Sequence, residues 1–144
     1  MRYISEGVIR RPIRNEEFQA LAEFRYALRM FLRFSEDAAT SAGITPRQYQ
    51  AMLAVRGWQG VEAITIGQLA ERLHLRHHSA VGLVQRLVRR GLIERRPLAR
   101  DRRNITLLLT AQGRFVLEQL ASAHRDELKR MRPQLDQLLE TIDH

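Results

Sequence analysis

The feature that most narrows the fold of this chain is an abrupt change of periodicity at Gly91. Before it, Ala80, Leu83, Val84 and Leu87 recur at i, i+3, i+4 and i+7, the spacing of one buried helix face over about 77–90. After it, 92–97 and 104–109 read as two short strands, the second alternating with Ile105, Leu107 and Leu109 on one side. The strands are joined by a basic loop, 98–103. A glycine-ended helix running straight into a hairpin makes the chain α+β, though mainly α.

Upstream, two stretches carry the signature of a helix start. Thr45-Pro46-Arg47-Gln48 combines a Thr cap, proline at the first helical position and Gln three residues after the cap, predicting a helix to about Arg56. Thr65-Ile66-Gly67-Gln68 repeats the box, with Leu69, Ala70 and Leu73 as the buried face of a short helix. The stretch between, 57–64, is a loop or a short strand. At the chain ends, Leu21, Phe24, Leu28, Phe31 and Leu32 predict a long amphipathic helix over 16–42, ended near Gly43. Thr110 caps another, with a stripe of Leu117, Leu120, Ala121, His124, Leu128 and Met131, and Pro133 is expected to start a last helix bearing Leu135, Leu138, Leu139 and Ile142. Residues 1–15, with a basic break at Arg10-Arg11-Pro12, read as an arm preceding a single domain over 16–144.

Charge is concentrated in one place. From Arg72 to Arg103, ten arginines stand against two acids, Glu94 and Asp101, so this segment carries the whole net charge of +8 and the rest of the chain is neutral. A charge serving solubility alone would be spread over the surface. A local excess of arginine suits a polyanion, because each neutralised phosphate releases condensed counterions and the guanidinium fork grips phosphate or guanine in two places.

Other classes fall away. The sequence has no cysteine, which excludes disulfides, thiolate zinc sites, cysteine catalysis and thiol-based peroxide sensing. No HExxH, GxSxG, glycine-rich phosphate loop or acidic metal cluster occurs, so no enzyme and no cofactor are expected. There is no apolar run of membrane-spanning length and no signal-like stretch, and a cytoplasmic location without membrane contact is the expectation. His74, His77 and His78 form an HxxHH cluster, but it crosses a turn and only Glu71 lies nearby to complete a ligand set, so no metal site is assigned.

The order helix, helix, helix, strand, basic loop, strand is that of a helix-turn-helix with a wing. Here the chain resembles the MarR family of bacterial winged-helix regulators. The resemblance is carried by Leu69-Ala70-Glu71-Arg72-Leu73, by Leu83-Val84-Gln85-Arg86-Leu87 leading to Arg90-Gly91-Leu92-Ile93, by Arg100-Asp101-Arg102-Arg103 and by Leu107-Leu108-Leu109-Thr110-Ala111-Gln112-Gly113. It spans about 16–143 and implies a homodimer made by long N- and C-terminal dimerisation helices (16–42 and 111–143), with a winged helix over about 45–110. The end-helix stripes agree, since a lone chain would leave much of that apolar surface uncovered.

The resemblance further implies that the fourth helix reads bases through His77, His78, Ser79, Gly82 and Gln85. It places Arg102 or Arg103, on a wing formed with Arg100 and Asp101, in the minor groove. Arg76, Arg86 and Arg89 suit phosphate contacts. Three departures stand out: Arg76 replaces the usual Ser or Thr cap, Gly82 a usual polar reader, and Leu98 a usual acid at the start of the wing. The expected function is that of a sequence-specific, double-stranded DNA-binding regulator acting on a pseudo-palindromic operator, in the first instance by occluding a promoter. Tyr49, Met52 and Trp58 could line a pocket for a small aromatic or phenolic effector of the kind the family binds; core packing would explain them as well. His124, on an apolar stripe, is expected to be packed or at a dimer interface. The alternative function is a non-specific architectural or protein-binding winged helix.

Overall fold

A computed structural model describes residues 11–98 and 100–143. Most of the expected arm lies outside these residues. The elements run α1 (Asn15–Ser41), α2 (Pro46–Arg56), α3 (Ile66–Arg72), α4 (His77–Arg89), β1 (Ile93–Pro97), β2 (Ile105–Leu109) and α5 (Ala111–Asp143).

Both capping boxes form with reciprocal bonds. Thr45 Oγ1 accepts the Gln48 amide at 3.1 Å while Gln48 Oε1 accepts the Thr45 amide at 3.0 Å; the Thr65–Gln68 pair repeats this at 3.2 and 2.9 Å. Each cap satisfies amides the helix cannot, contributing about 1 kcal/mol. Between α3 and α4, His74 takes a left-handed φ of 53° and the Leu75 amide bonds back to the Ala70 carbonyl at 2.8 Å. This αL closure turns the chain sharply enough to set α4 across α3. All four core positions expected on α4, Ala80, Leu83, Val84 and Leu87, are buried. Leu83, Val84 and Leu87 join Met52, Ile64, Leu69, Ile93 and Leu107 in one core.

The hairpin is antiparallel, pairing Ile93 with Leu109 and Pro97 with Ile105. Each strand is one residue shorter than expected: the Leu92 amide closes the turn after α4 on the Leu87 carbonyl, and Asn104 belongs to the loop turn. The simple alternation in β2 is corrected too. Leu107 and Leu109 are buried and Ile105 is half-buried, but Thr106 is buried as well. Its face is covered because Thr65 bridges Thr106 and the Leu107 amide bonds to the Ile64 carbonyl at 2.8 Å. The 57–64 stretch is therefore a loop whose end adds a third, single-bridge edge to the sheet.

Two expectations about the end helices are revised. Pro133 does not begin a helix; α5 runs through it unbroken. The imide removes one bond, to the Lys129 carbonyl, and buried Leu138 beyond it keeps the last turns against Ala20 and Ala27 of α1. In α1 the inward face is Ala20, Ala27 and Ala39, while Leu21, Phe24 and Leu32 stay 41–50% exposed. The small residues let α5 approach closely and push the large stripe outward.

α1 and α5 run antiparallel, as two ties far apart along them require. At one end Arg14 Nη2 donates to the Thr141 carbonyl at 3.1 Å. At the other, buried His124 places Nε2 2.8 Å from Ser35 Oγ, while its Nδ1 donates to the Leu120 carbonyl at 2.7 Å. The ring stacks on Tyr49 of α2 at 4.5 Å and meets Phe31 and Phe34 edge-on, so it is packed within the chain at the junction of α1, α2 and α5.

Glu17 fastens the start of α1. Its carboxylate accepts two bonds from Arg11, at 2.6 and 2.7 Å, and one from the Arg14 amide at 3.0 Å. The hydrogen-bonded Arg11 guanidinium, with the Arg14 amide and both positive charges, holds its pKa at about 2. The folded protein thus binds fewer protons at Glu17 than the unfolded chain between about pH 4.3 and 2, and stability falls as pH falls through that window. Wild type should therefore lose more thermal stability than Glu17→Gln between pH 5 and 2.5. Equal losses would contradict the role given to this carboxylate.

Candidate nucleic-acid interface

The α3–turn–α4 unit and the hairpin present the basic segment on exposed surface. On α4, His77, His78, Ser79, Gln85, Arg86 and Arg89 are exposed along the face opposite the core residues. Gly82 lies half-buried among them, and a Cβ there would meet nothing nearer than the Arg86 guanidinium at 3.9 Å. The protein's own packing does not demand glycine at this position, so its lack of a side chain is available to an approaching partner.

Arg76 takes the N-cap position with extended backbone (φ −67°, ψ 151°) and makes no side-chain capping bond. The helix still begins at His77, with the Ala80 amide bonded to the Arg76 carbonyl at 3.1 Å. Lacking a side-chain cap, the first turn keeps amides free for an outside acceptor such as a phosphate oxygen. His74 is set apart from His77 and His78 by its turn role, and all three are exposed.

The tip of the wing is shaped by Asp101. Asp101 Oδ1 accepts the Arg103 amide at 3.1 Å and lies 3.5 Å from Arg103 Nε, while the Asn104 amide bonds to the Asp101 carbonyl at 3.1 Å. The Leu98 amide closes the loop base on the Asn104 carbonyl at 2.9 Å. Arg102 and Arg103 are thereby displayed at the tip, with the Arg103 side chain 95% exposed. Asp101 supplies the anchoring that the absent acid at Leu98 leaves undone.

Not every arginine of the segment is free. Arg90 Nη1 donates to the Gly43 carbonyl at 2.9 Å and ties α4 to the turn after α1. Arg96 pairs with Glu94 on its own strand at 2.8 Å, and Arg100 pairs with Glu62 at 2.9 Å. The partnership of Glu62, nearly forty residues from the loop it touches, had no signal in the sequence.

Tyr49, Met52 and Trp58 do not share one cavity. Met52 is fully buried in the core, and Tyr49 is buried against His124, with burial raising the pKa of its phenol. Trp58 alone lines a cleft, of about 400 Å³, with Val55, Arg56, Leu107, Leu109 and Arg114. α2 turns its two candidate side chains inward, and Trp58 lies past its end.

Comparison with known proteins agrees with this geometry. The MarR family profile matches residues 42–104, which run from the turn before α2 to the end of the wing loop. A curated relative, the organic hydroperoxide resistance transcriptional regulator of Bacillus subtilis (strain 168), is 28% identical over 109 residues, covering 69% of this chain and 72% of the relative. Among solved structures, AbsC, a MarR family transcriptional regulator from Streptomyces coelicolor, superposes with a TM-score of 0.69 at 19% identity, over 91% of this chain and 90% of AbsC. The S. aureus MepR–DNA complex gives a TM-score of 0.62 at 23% identity, over 77% of this chain and 83% of MepR. Over residues 42–104, from the turn before α2 to the wing loop, the chain is thus similar to the MarR family.

Proposed function

We propose that the protein is a cytoplasmic, homodimeric regulator that binds a pseudo-palindromic site in duplex DNA and acts by occluding a promoter, without catalysing a reaction. The observation that carries this is the joint display of an uncapped, polar and basic α4 face with an arginine-tipped wing, on a fold shared with the MepR–DNA complex. In this reading α4 enters the major groove, where His77, His78, Ser79, Gly82 and Gln85 meet base edges. Arg76, Arg86 and Arg89 take phosphates, and Arg102 or Arg103 enters the minor groove.

A second copy is the natural cover for the end helices. Phe18, Leu21, Phe24 and Leu32 on α1, with Leu128, Leu139 and Ile142 on α5, leave more apolar surface in water than a monomer commonly tolerates. Pairing through these helices gives a two-fold axis and two α4 helices about one turn of DNA apart, ~34–36 Å. A small aromatic effector, if one acts here, would have Trp58 and its cleft available. The hydroperoxide role named for the B. subtilis relative does not carry over through thiol chemistry, because the sequence has no cysteine.

Readers and positioners separate experimentally. His78→Ala should change which sequences are preferred, whereas Arg89→Ala should weaken all duplexes about equally and reduce the salt slope by about one. Titrations against a panel of duplexes at several salt concentrations decide it. The same change in selectivity from both variants would count against the division.

A further inference from the structure

The wing is braced from outside its own hairpin. Glu62, in the α2–α3 loop, sets Oε1 2.9 Å from Arg100 Nη2, at the first arm of the wing loop. Two residues later the Ile64 carbonyl accepts the Leu107 amide, and Thr65 then bridges Thr106. The end of this loop therefore runs beside β2, and Glu62 grips the base of the wing from that side. An acid here is at odds with a surface for phosphates, since its charge repels them. Glu94 carries the same charge but pairs with Arg96 two residues away on its own strand, so it joins no separate parts of the chain.

We propose that Glu62 is a positioning residue of the wing: by holding Arg100 it sets the direction in which Arg102 and Arg103 project. The acid thus favours binding of the preferred duplex although its charge opposes binding of any duplex. The proposal rests on the reading of this surface as a duplex-binding one.

The two effects have opposite signs. Removing a negative charge within about a Debye length of the phosphates, ~8 Å at physiological salt, tightens binding to every duplex alike. Releasing Arg100 lets the loop sample orientations that do not fit the groove, and apparent affinity falls with the fraction that does. The pair is exposed, with side chains 76% and 39% accessible, so its loss should leave folding intact.

The test measures binding of the whole protein, as wild type, Glu62→Gln, Glu62→Asp and Glu94→Gln, to two duplexes at physiological salt. One is the tightest duplex recovered from a random pool, and the other is a scrambled duplex of equal length. Glu94→Gln is expected to tighten both by the same modest factor. Glu62→Gln should bind the scrambled duplex at least as well as wild type but the recovered one about threefold more weakly, as a loop released from an exposed pair worth under about 1 kcal/mol would. Glu62→Asp, which keeps the charge, should regain most of the loss, with melting temperatures unchanged throughout.

If Glu62→Gln tightens both duplexes as Glu94→Gln does, Glu62 is only a counter-charge and the proposal is overturned while the DNA-binding reading stands. If it lowers the melting temperature and weakens both duplexes equally, the pair serves folding and the proposal is again overturned. Failure of wild type to prefer any duplex overturns the reading and the proposal together.

Discussion

Replacing Arg102 and Arg103 together by alanine is expected to weaken binding to the preferred duplex by about 30-fold or more. That figure assigns each arginine the low end of a direct DNA contact, ~1 kcal/mol, at 1.4 kcal/mol per tenfold. Both side chains are exposed at the loop tip, and the Asp101 carboxylate that shapes the turn bonds the Arg103 amide as well as its side chain. The turn should therefore survive the substitutions through its backbone bonds. Neither residue belongs to the apolar surface of α1 or α5, so the mass in solution should not change. The salt slope should also fall, by roughly 0.9 for each phosphate that is no longer neutralised. Titration at two salt concentrations, with mass in solution recorded, checks this. Unchanged affinity in the double variant would remove the wing from the DNA-binding surface.

The largest effect on stability is expected from a single methyl group. Gly113 lies in the first turn of α5, where a Cβ would overlap the Leu92 carbonyl oxygen. That turn is pinned from three directions. Thr110 Oγ1 donates to the Gly91 carbonyl at 2.6 Å and accepts the Gly113 amide at 2.9 Å, while the Thr110 amide bonds to the Leu92 carbonyl at 3.1 Å. In an open helix, Gly→Ala is favourable by about 1 kcal/mol. Here the obstructing atom is backbone and already bonded, so the helix has to lift off the turn after α4. Overpacking of this kind costs about 3 kcal/mol, the upper end of the usual range. For a chain of this size that lowers the melting temperature by roughly 10 °C. A thermal melt of Gly113→Ala reads it directly, and a raised melting temperature would show that α5 does not approach Leu92 so closely.

What could be read from the sequence depended on how local its cause is. The two capping boxes need only residues three apart, and both formed with the expected bonds. The core face of α4 needs only helical spacing, and Gly91 takes the positive φ of 72° expected of a glycine that ends a helix. Other features depend on partners distant in the chain. α1 buries alanines and exposes its larger side chains because of how closely α5 approaches, and α5 continues through Pro133 because buried Leu138 lies beyond it. Thr106 is buried because Thr65 crosses beside it.

The candidate site divides in the same way. Its α4 face and wing tip follow from spacing and charge, and apart from the half-buried Gly82 their residues are exposed. The holding of Arg90 by Gly43 and of Arg100 by Glu62 subtracts two arginines from the free set, and no local pattern announces either pairing. Tyr49 and Met52 differ from Trp58 in direction, and only the packing of α2 against His124 and the core decides which of the three meets a cleft.

The most direct test of the central claim is selection of bound sequences from a random duplex pool at physiological salt, with the protein's mass in solution recorded alongside. The expected result is a palindromic motif with half-sites one helical turn apart, bound by a dimer. Recovery of no motif above background, or binding by a monomer without sequence preference, would contradict it and make the basic segment a non-specific or protein-binding surface.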